Sequence, residues 1–250
     1  MKKTGITSAV SAVVMMSAIS MPAAQADITE GWTASANVGM TSDYRFRGIS
    51  QSDEDFAIQG GFDWAHDSGF YVGLWASNVD FEIQTVDDAQ AELDVYAGFG
   101  GEFGDSGIGY DIGVLDYNYP GASGRLNYDF TEVYGSLSYS WTEAFSTSLS
   151  LAYTSDYYGG SDDATYWNVA ADYDFGNDWM VGGSVGGQDV DDNATWGTPD
   201  WNDYKLYVAT SFKGFDFDVS WIDTDLSNRQ CFGGSDWCDD ALVFTVSKSF

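Results

Sequence analysis

Basic residues are scarce. The 250-residue chain carries nine Lys and Arg against 39 Asp and Glu, a formal net charge of −30 at pH 7. So acidic a chain repels phosphates, which excludes nucleic acid as a partner. Proline is limited to three residues, histidine to one and cysteine to two. Beyond the first 21 residues no segment offers 18 uninterrupted apolar residues, so no membrane-spanning helix is expected. Helical periodicity is missing as well. What is abundant is glycine, at 29 residues, and aromatics, at 17%. Disordered acidic chains are poor in aromatics, so this chain folds.

The start reads as an export signal. Lys2 and Lys3 precede an apolar run to about Met21, and Ala24-Gln25-Ala26 is an A-x-A cleavage site. Cleavage after Ala26 leaves a mature chain of 27–250. Without Lys2 and Lys3, seven basic residues face 39 acidic ones, a formal charge of −32. That balance points to cations as partners, or to an acidic exterior that is simply well solvated.

Twelve segments alternate with period two, the signature of strands with one apolar face. They are 32–47, 56–65, 70–78, 90–100, 108–117, 130–140, 145–157, 165–175, 179–187, 203–212, 215–223 and 241–250. The fourth sets Ala91, Leu93, Val95, Ala97 and Phe99 against Glu92, Asp94 and Tyr96. Short connections (66–69, 101–107, 141–144, 176–178, 213–214) alternate with longer ones (48–55, 79–89, 118–129, 158–164, 188–202, 224–240). Pro120 and Pro199 fall in the longer set, where they break no ladder. An up-and-down ribbon then has its long loops at one end and its tight turns at the other. That is the layout of an outer-membrane barrel.

Periodicity alone also fits a soluble sandwich or a lipocalin-like barrel with the apolar face inward. The aromatics argue for lipid. Trp32 and Tyr44 lie 12 residues apart on the apolar face. At about 3.3 Å per residue and a tilt near 40°, that is roughly 30 Å, close to an apolar band with its aromatic edges. Phe56, Phe70, Phe99, Trp167, Trp179 and Phe212 mark other strand ends, as at membrane interfaces. The opposite face, rich in Asp, Glu, Ser, Gly and Asn, is too polar for a dry core. The expected fold is all-β: a transmembrane up-and-down antiparallel β-barrel of about 12 strands over 27–250.

Three stretches carry a family resemblance: SDYRFRGISQSD (42–53), GFDWAHDSGFYVGLWASNVDF (61–81) and ELDVYAGFGGEFG (92–104). Together they resemble the TorF-type family of porins, proteobacterial outer-membrane proteins of poorly defined function. The last strand, with Leu242, Phe244, Val246 and Phe250 on one face, looks like the terminal signal of such barrels. Lys248 departs from an all-apolar version of it. The resemblance implies a channel and brings no catalytic residue or substrate.

Within the first strand, Asp43, Arg45 and Arg47 share the polar face. Thr41-Ser42-Asp43-Tyr44 recurs as Thr154-Ser155-Asp156-Tyr157, six strands later, so Asp43 and Asp156 are expected across the outer mouth from each other. Asp43, Arg45, Arg47 and Asp156 are the pore-lining candidates. Opposed charges there create a transverse field that orients dipolar solutes. Alternatively, the arginines only neutralise neighbouring carboxylates on the wall.

Cys231 and Cys238 share the last long loop, and in an oxidising compartment a disulfide clipping that loop is the leading reading. Acidic clusters recur in the loops: Asp53-Glu54-Asp55, Asp87-Asp88, Asp162-Asp163, Asp189 with Asp191-Asp192, and Asp239-Asp240. They form a cation-concentrating vestibule, bridge to lipopolysaccharide through divalent ions, or merely solvate the surface. The run DVDDN lacks the spacing of a calcium loop, so no metal or other cofactor is expected. His66 falls in a predicted turn at the far end, away from where a Ser–His pair would meet substrate. Carboxylate pairs mean little among so many acids, so no glycosidase is read.

The functional expectation is a non-enzymatic outer-membrane channel for small hydrophilic solutes or ions, cations favoured, set in lipid and lipopolysaccharide. The alternative is a plugged structural or binding barrel whose acidic outer loops contact a partner. Monomer and homo-oligomer both stay open.

Overall fold

The computed structural model describes residues 26–81 and 89–250. The leader and the Asp87-Asp88 cluster lie outside these. The strands are β1 (Ala26–Thr29), β2 (Trp32–Thr41), β3 (Arg45–Phe46), β4 (Ile49–Ser50), β5 (Ala57–His66), β6 (Phe70–Asn78), β7 (Ala91–Glu102) and β8 (Ile108–Asn118). They continue with β9 (Phe130–Ser140), β10 (Phe145–Thr154), β11 (Ala164–Gly176), β12 (Trp179–Val190), β13 (Trp201–Phe212), β14 (Phe215–Thr224) and β15 (Ala241–Ser249). Among the described residues the one helical element is a short 3-10 turn, Phe232–Gly234.

From β5 to β15 every consecutive pair is antiparallel, and β2 pairs with both β5 and β15. The ring is therefore closed, with twelve strands in its wall and no edge left open. Its two seams differ in length. Along β5, β2 is matched from Trp32↔His66 to Thr41↔Ala57. Along β15 it is matched from Asn37↔Ser249 to Thr41↔Thr245, with mutual backbone bonds between Ala36 and Phe250 and one from Ser42 to the Phe244 carbonyl at its two ends. The rest of that edge is taken by β1, which pairs with residues Trp32 to Ala34. The connections alternate short and long as the sequence implies, and Pro120 and Pro199 sit in long loops.

Polarity is inverted relative to a water-soluble barrel. The apolar member of each alternation points outward: Leu206 is 62% exposed and Leu242 63%, whereas Asp94 on an inward position is 0%. Ile58, Phe62, Ile112, Leu151, Val169 and Phe244 belong to the same outward belt. The expected edge aromatics Phe56, Phe70, Phe99, Trp167, Trp179 and Phe212 also face out. A continuous apolar belt of this kind is stable only in lipid. Lys248, the odd residue of the terminal strand, lays its ammonium 5.0 and 5.2 Å from the Phe215 and Phe250 ring centroids. Its stem can lie along the belt while the charge stays at the interface.

The first strand is shorter than its pattern suggests. It leaves the wall after Thr41 rather than running to residue 47. The Thr41 hydroxyl donates to the Asp43 carbonyl at 2.9 Å, a local bond that competes with the ladder. The next residues fold inward as the β3–β4 hairpin. Tyr44, placed by its parity on the lipid side, is instead 4% exposed inside the barrel. It donates to Glu92 Oε1 at 3.1 Å.

Candidate functional site

The hairpin's two turn residues are Arg47 and Gly48, with φ of 49° and 86°. Positive φ at both central positions defines a type I′ turn, which suits a two-residue connection. A Cβ on Gly48 would lie 3.0 Å from the Asp203 Cβ and closer still to Thr224 Cγ2, so the turn tip is pressed against β13 and β14. Only glycine combines that backbone with that approach.

The turn delivers Arg47 to the opposite wall. Its Nη2 donates to both carboxylate oxygens of Glu132 on β9, each at 2.7 Å. Its Nη1 donates to the side-chain oxygen of Gln188 on β12. The guanidinium carbon lies 4.3 Å from the Tyr166 ring centroid and 4.6 Å from that of Phe46. The Trp201 indole donates to the Arg47 carbonyl at 2.9 Å. Burial is the largest single influence and works against the Arg47 charge, but Glu132, Tyr157 and Tyr117 together outweigh it and the pKa rises. Nearby Tyr157, in the loop after β10, is pushed up to about 12, chiefly by burial, with Arg47 opposing. Burial, then the Glu92 charge, raises Tyr44.

Arg45 secures the hairpin's base. Its Nε donates to Asp43 Oδ2 at 2.5 Å, and its Nη1 donates to the carbonyls of Gly48, Trp237 and Asp239. Asp43 also accepts from the Ser50 hydroxyl at 2.7 Å. Trp237 and Asp239 belong to the last outer loop, where Cys231 and Cys238 form a disulfide. The Trp237 indole donates to Asp53 Oδ1 at 2.7 Å, and the Ser50 amide donates to the Trp237 carbonyl at 2.9 Å. The clipped loop is thus laid over the hairpin. The crevice left between hairpin and wall measures about 40 Å³, with Phe46, Ile49, Phe81, Tyr119, Tyr157 and Trp201 among its lining.

Of the candidates, Asp43 and Arg45 meet directly, and Arg47 meets Glu132 instead of Asp156. Asp156 is exposed, and it is Tyr157 that turns inward. The repeat is nonetheless structural. Thr154 donates to the Asp156 carbonyl as Thr41 does to that of Asp43, and β2 and β10 stand six strands apart in either direction around the ring. His66 ends β5, and its Nδ1 accepts from the Ser68 amide at 3.1 Å, a turn contact.

Sequence reasoning missed the lumen's tyrosines. Tyr117 donates to Glu132 at 3.2 Å, Tyr166 to Asp203 at 2.9 Å, Tyr71 to Asp111 at 2.7 Å and Tyr207 to Asp172 at 2.5 Å, while Tyr96 donates to Asp63. These rings lie flat. A Cβ on Gly73 would overlap the Tyr96 ring, and one on Gly113 would overlap Tyr134, each glycine being the ring's register partner. Gly98 with Tyr71, and Gly182 with Tyr207, repeat the device. Tyrosine paired with glycine on the inward parity was the available signal.

A model of bacterial proteins of unknown function, Gcw_chp, matches residues 25–250. The chain belongs to the Gcw_chp family. Among solved structures, this Gcw_chp chain is similar to the NanC porin, with TM-score 0.58 and 10% identity over 87% of this chain and 98% of that one. It is similar to the KdgM porin at TM-score 0.56 and 10% identity, covering 86% and 98%. The COG4313 outer membrane channel from Pseudomonas putida F1 gives TM-score 0.51 at 9% identity, covering 88% and 96%. At such identities the likeness is one of fold. No curated protein matches.

Proposed function

We propose that this Gcw_chp protein is an outer-membrane channel for passive diffusion of small hydrophilic solutes, with cations favoured. The carrying observation is the lumen wall. Below the hairpin, Asp63, Asp111, Asp172 and Asp218 come from four strands on inward positions, joined by Ser136, Ser148 and Ser184. Lys205 is the basic side chain among them. An acidic, hydroxyl-rich lumen inside an apolar belt favours hydrated cations over anions. No reaction is ascribed to it. The TorF-type kinship read from 42–104, export by a leader cleaved after Ala26, and contact of the acidic loops with lipopolysaccharide belong to the same proposal.

The test is conductance of the purified protein in a planar bilayer. Discrete steps are expected, with a reversal potential in a KCl gradient that favours K⁺; a silent bilayer would sink the channel reading. Neutralising Asp53, Glu54 and Asp55 together should weaken the cation preference, and an unchanged reversal potential removes the vestibule. The inward hairpin favours a second reading, a plugged barrel whose outer loops bind a partner. A barrel that stays silent after the hairpin is excised would select it.

A further inference from the structure

Arg47 is held as a ligand is held. Its receptor belongs almost entirely to the wall, and each wall group is fixed by something other than Arg47. The Glu132 side chain is 3% exposed and is oriented by the Tyr117 hydroxyl. The Gln188 amide donates to the carbonyls of Thr165 and Asp189 at 3.3 and 3.2 Å, which turns its oxygen toward the lumen. The Tyr166 ring is anchored through its hydroxyl to Asp203 at 2.9 Å. Glu132, Tyr117, Gln188 and Tyr166 stand on ladders that do not involve the hairpin. One guanidinium nitrogen donates to both oxygens of a carboxylate, a second donates to an amide oxygen on another strand, and a ring lies against the central carbon. Two separate nitrogens at fixed spacing and a ring contact fit a guanidinium rather than an ammonium.

We propose that the pocket of Glu132, Gln188, Tyr166 and Tyr117 is a binding site for guanidinium-bearing organic cations, with Arg47 as its tethered occupant. A free ligand must displace the turn, because tethering keeps Arg47 at high effective concentration. The channel reading is needed only to make the ligand a permeating solute; binding itself does not depend on it.

The experiment removes the occupant. Arg47→Ala is purified as a folded barrel in detergent, and its thermal unfolding is followed with millimolar methylguanidinium chloride, methylammonium chloride or NaCl. Methylguanidinium should raise the midpoint of Arg47→Ala, leave the unmutated protein unmoved, and lose its effect in Arg47→Ala/Glu132→Gln. An equal shift with methylammonium or NaCl, or one that survives Glu132→Gln, overturns the proposal. If Arg47→Ala does not fold, refolding yield with each salt is the readout. Methylguanidinium should restore the yield severalfold over methylammonium, and equal yields overturn the site. A guanidinium-specific shift in a protein that forms no channels keeps the site and removes the channel; conduction without the shift does the reverse.

Discussion

Arg47 and Glu132 form a buried ion pair with side chains 2% and 3% exposed. Removing one partner of such a pair leaves the other charge uncompensated, at a cost of about 3–5 kcal/mol. Glu132→Gln should approach that loss in urea unfolding in lipid, less whatever is regained by the hairpin swinging out to water. The tyrosine tiles give a second test. Gly113→Ala meets the Tyr134 ring and should cost about 1–3 kcal/mol. Adding Tyr134→Ala should recover part of it, the Ala97 carbonyl oxygen still lying 2.7 Å from the added carbon, so the double-mutant cycle reports coupling rather than addition. Glu132 could be read from the sequence as a polar-face residue of its strand. Its partnership with Arg47, 85 residues away, could not, because alternation reports which face a side chain takes and nothing about what stands across the lumen.

At the scale of elements, the wall was legible and the hairpin was not. Strand parity came through because one face meets lipid and the other does not, which fixes register firmly. Beyond Thr41 the same alternation persists through Tyr44 and Phe46, yet both rings serve the interior: Tyr44 packs 5.5 Å from Trp75 and Phe46 5.6 Å from Tyr117. An apolar face needs burial of some kind, and period two does not say whether lipid or a barrel interior supplies it. Arg47-Gly48 was the local clue to a turn. The hairpin's base rests on the disulfide loop through Arg45. Replacing Cys231 and Cys238 by Ser opens a short loop, worth about 2 kcal/mol in a chain-entropy estimate. In bilayers the variant should show more frequent or larger openings than the parent; identical records would mean the loop does not restrain the hairpin. Replacing Arg45–Ser50 by a short glycine linker should enlarge the unitary conductance severalfold.

For the whole molecule, twelve strands with five short and six long connections could be read directly, because an apolar belt and a polar lumen impose the same pattern on every strand. Chain closure was not written in any one segment. It depends on β2, which must match β5 on one side and β15 plus β1 on the other. That division leaves the ring unequal around its circumference. The join between the chain's two ends is the shorter ladder, and it closes the longest loop in the protein, so it is the most expensive contact to form entropically. It should therefore be the last to zip during assembly and the first to open afterwards. Hydrogen exchange in a lipid disc should find the backbone amides that bind across β2–β15 exchanging faster than those across β2–β5. A barrel commonly pictured as an endless wall has, in this chain, a beginning in time: a place where insertion finishes and where failure starts.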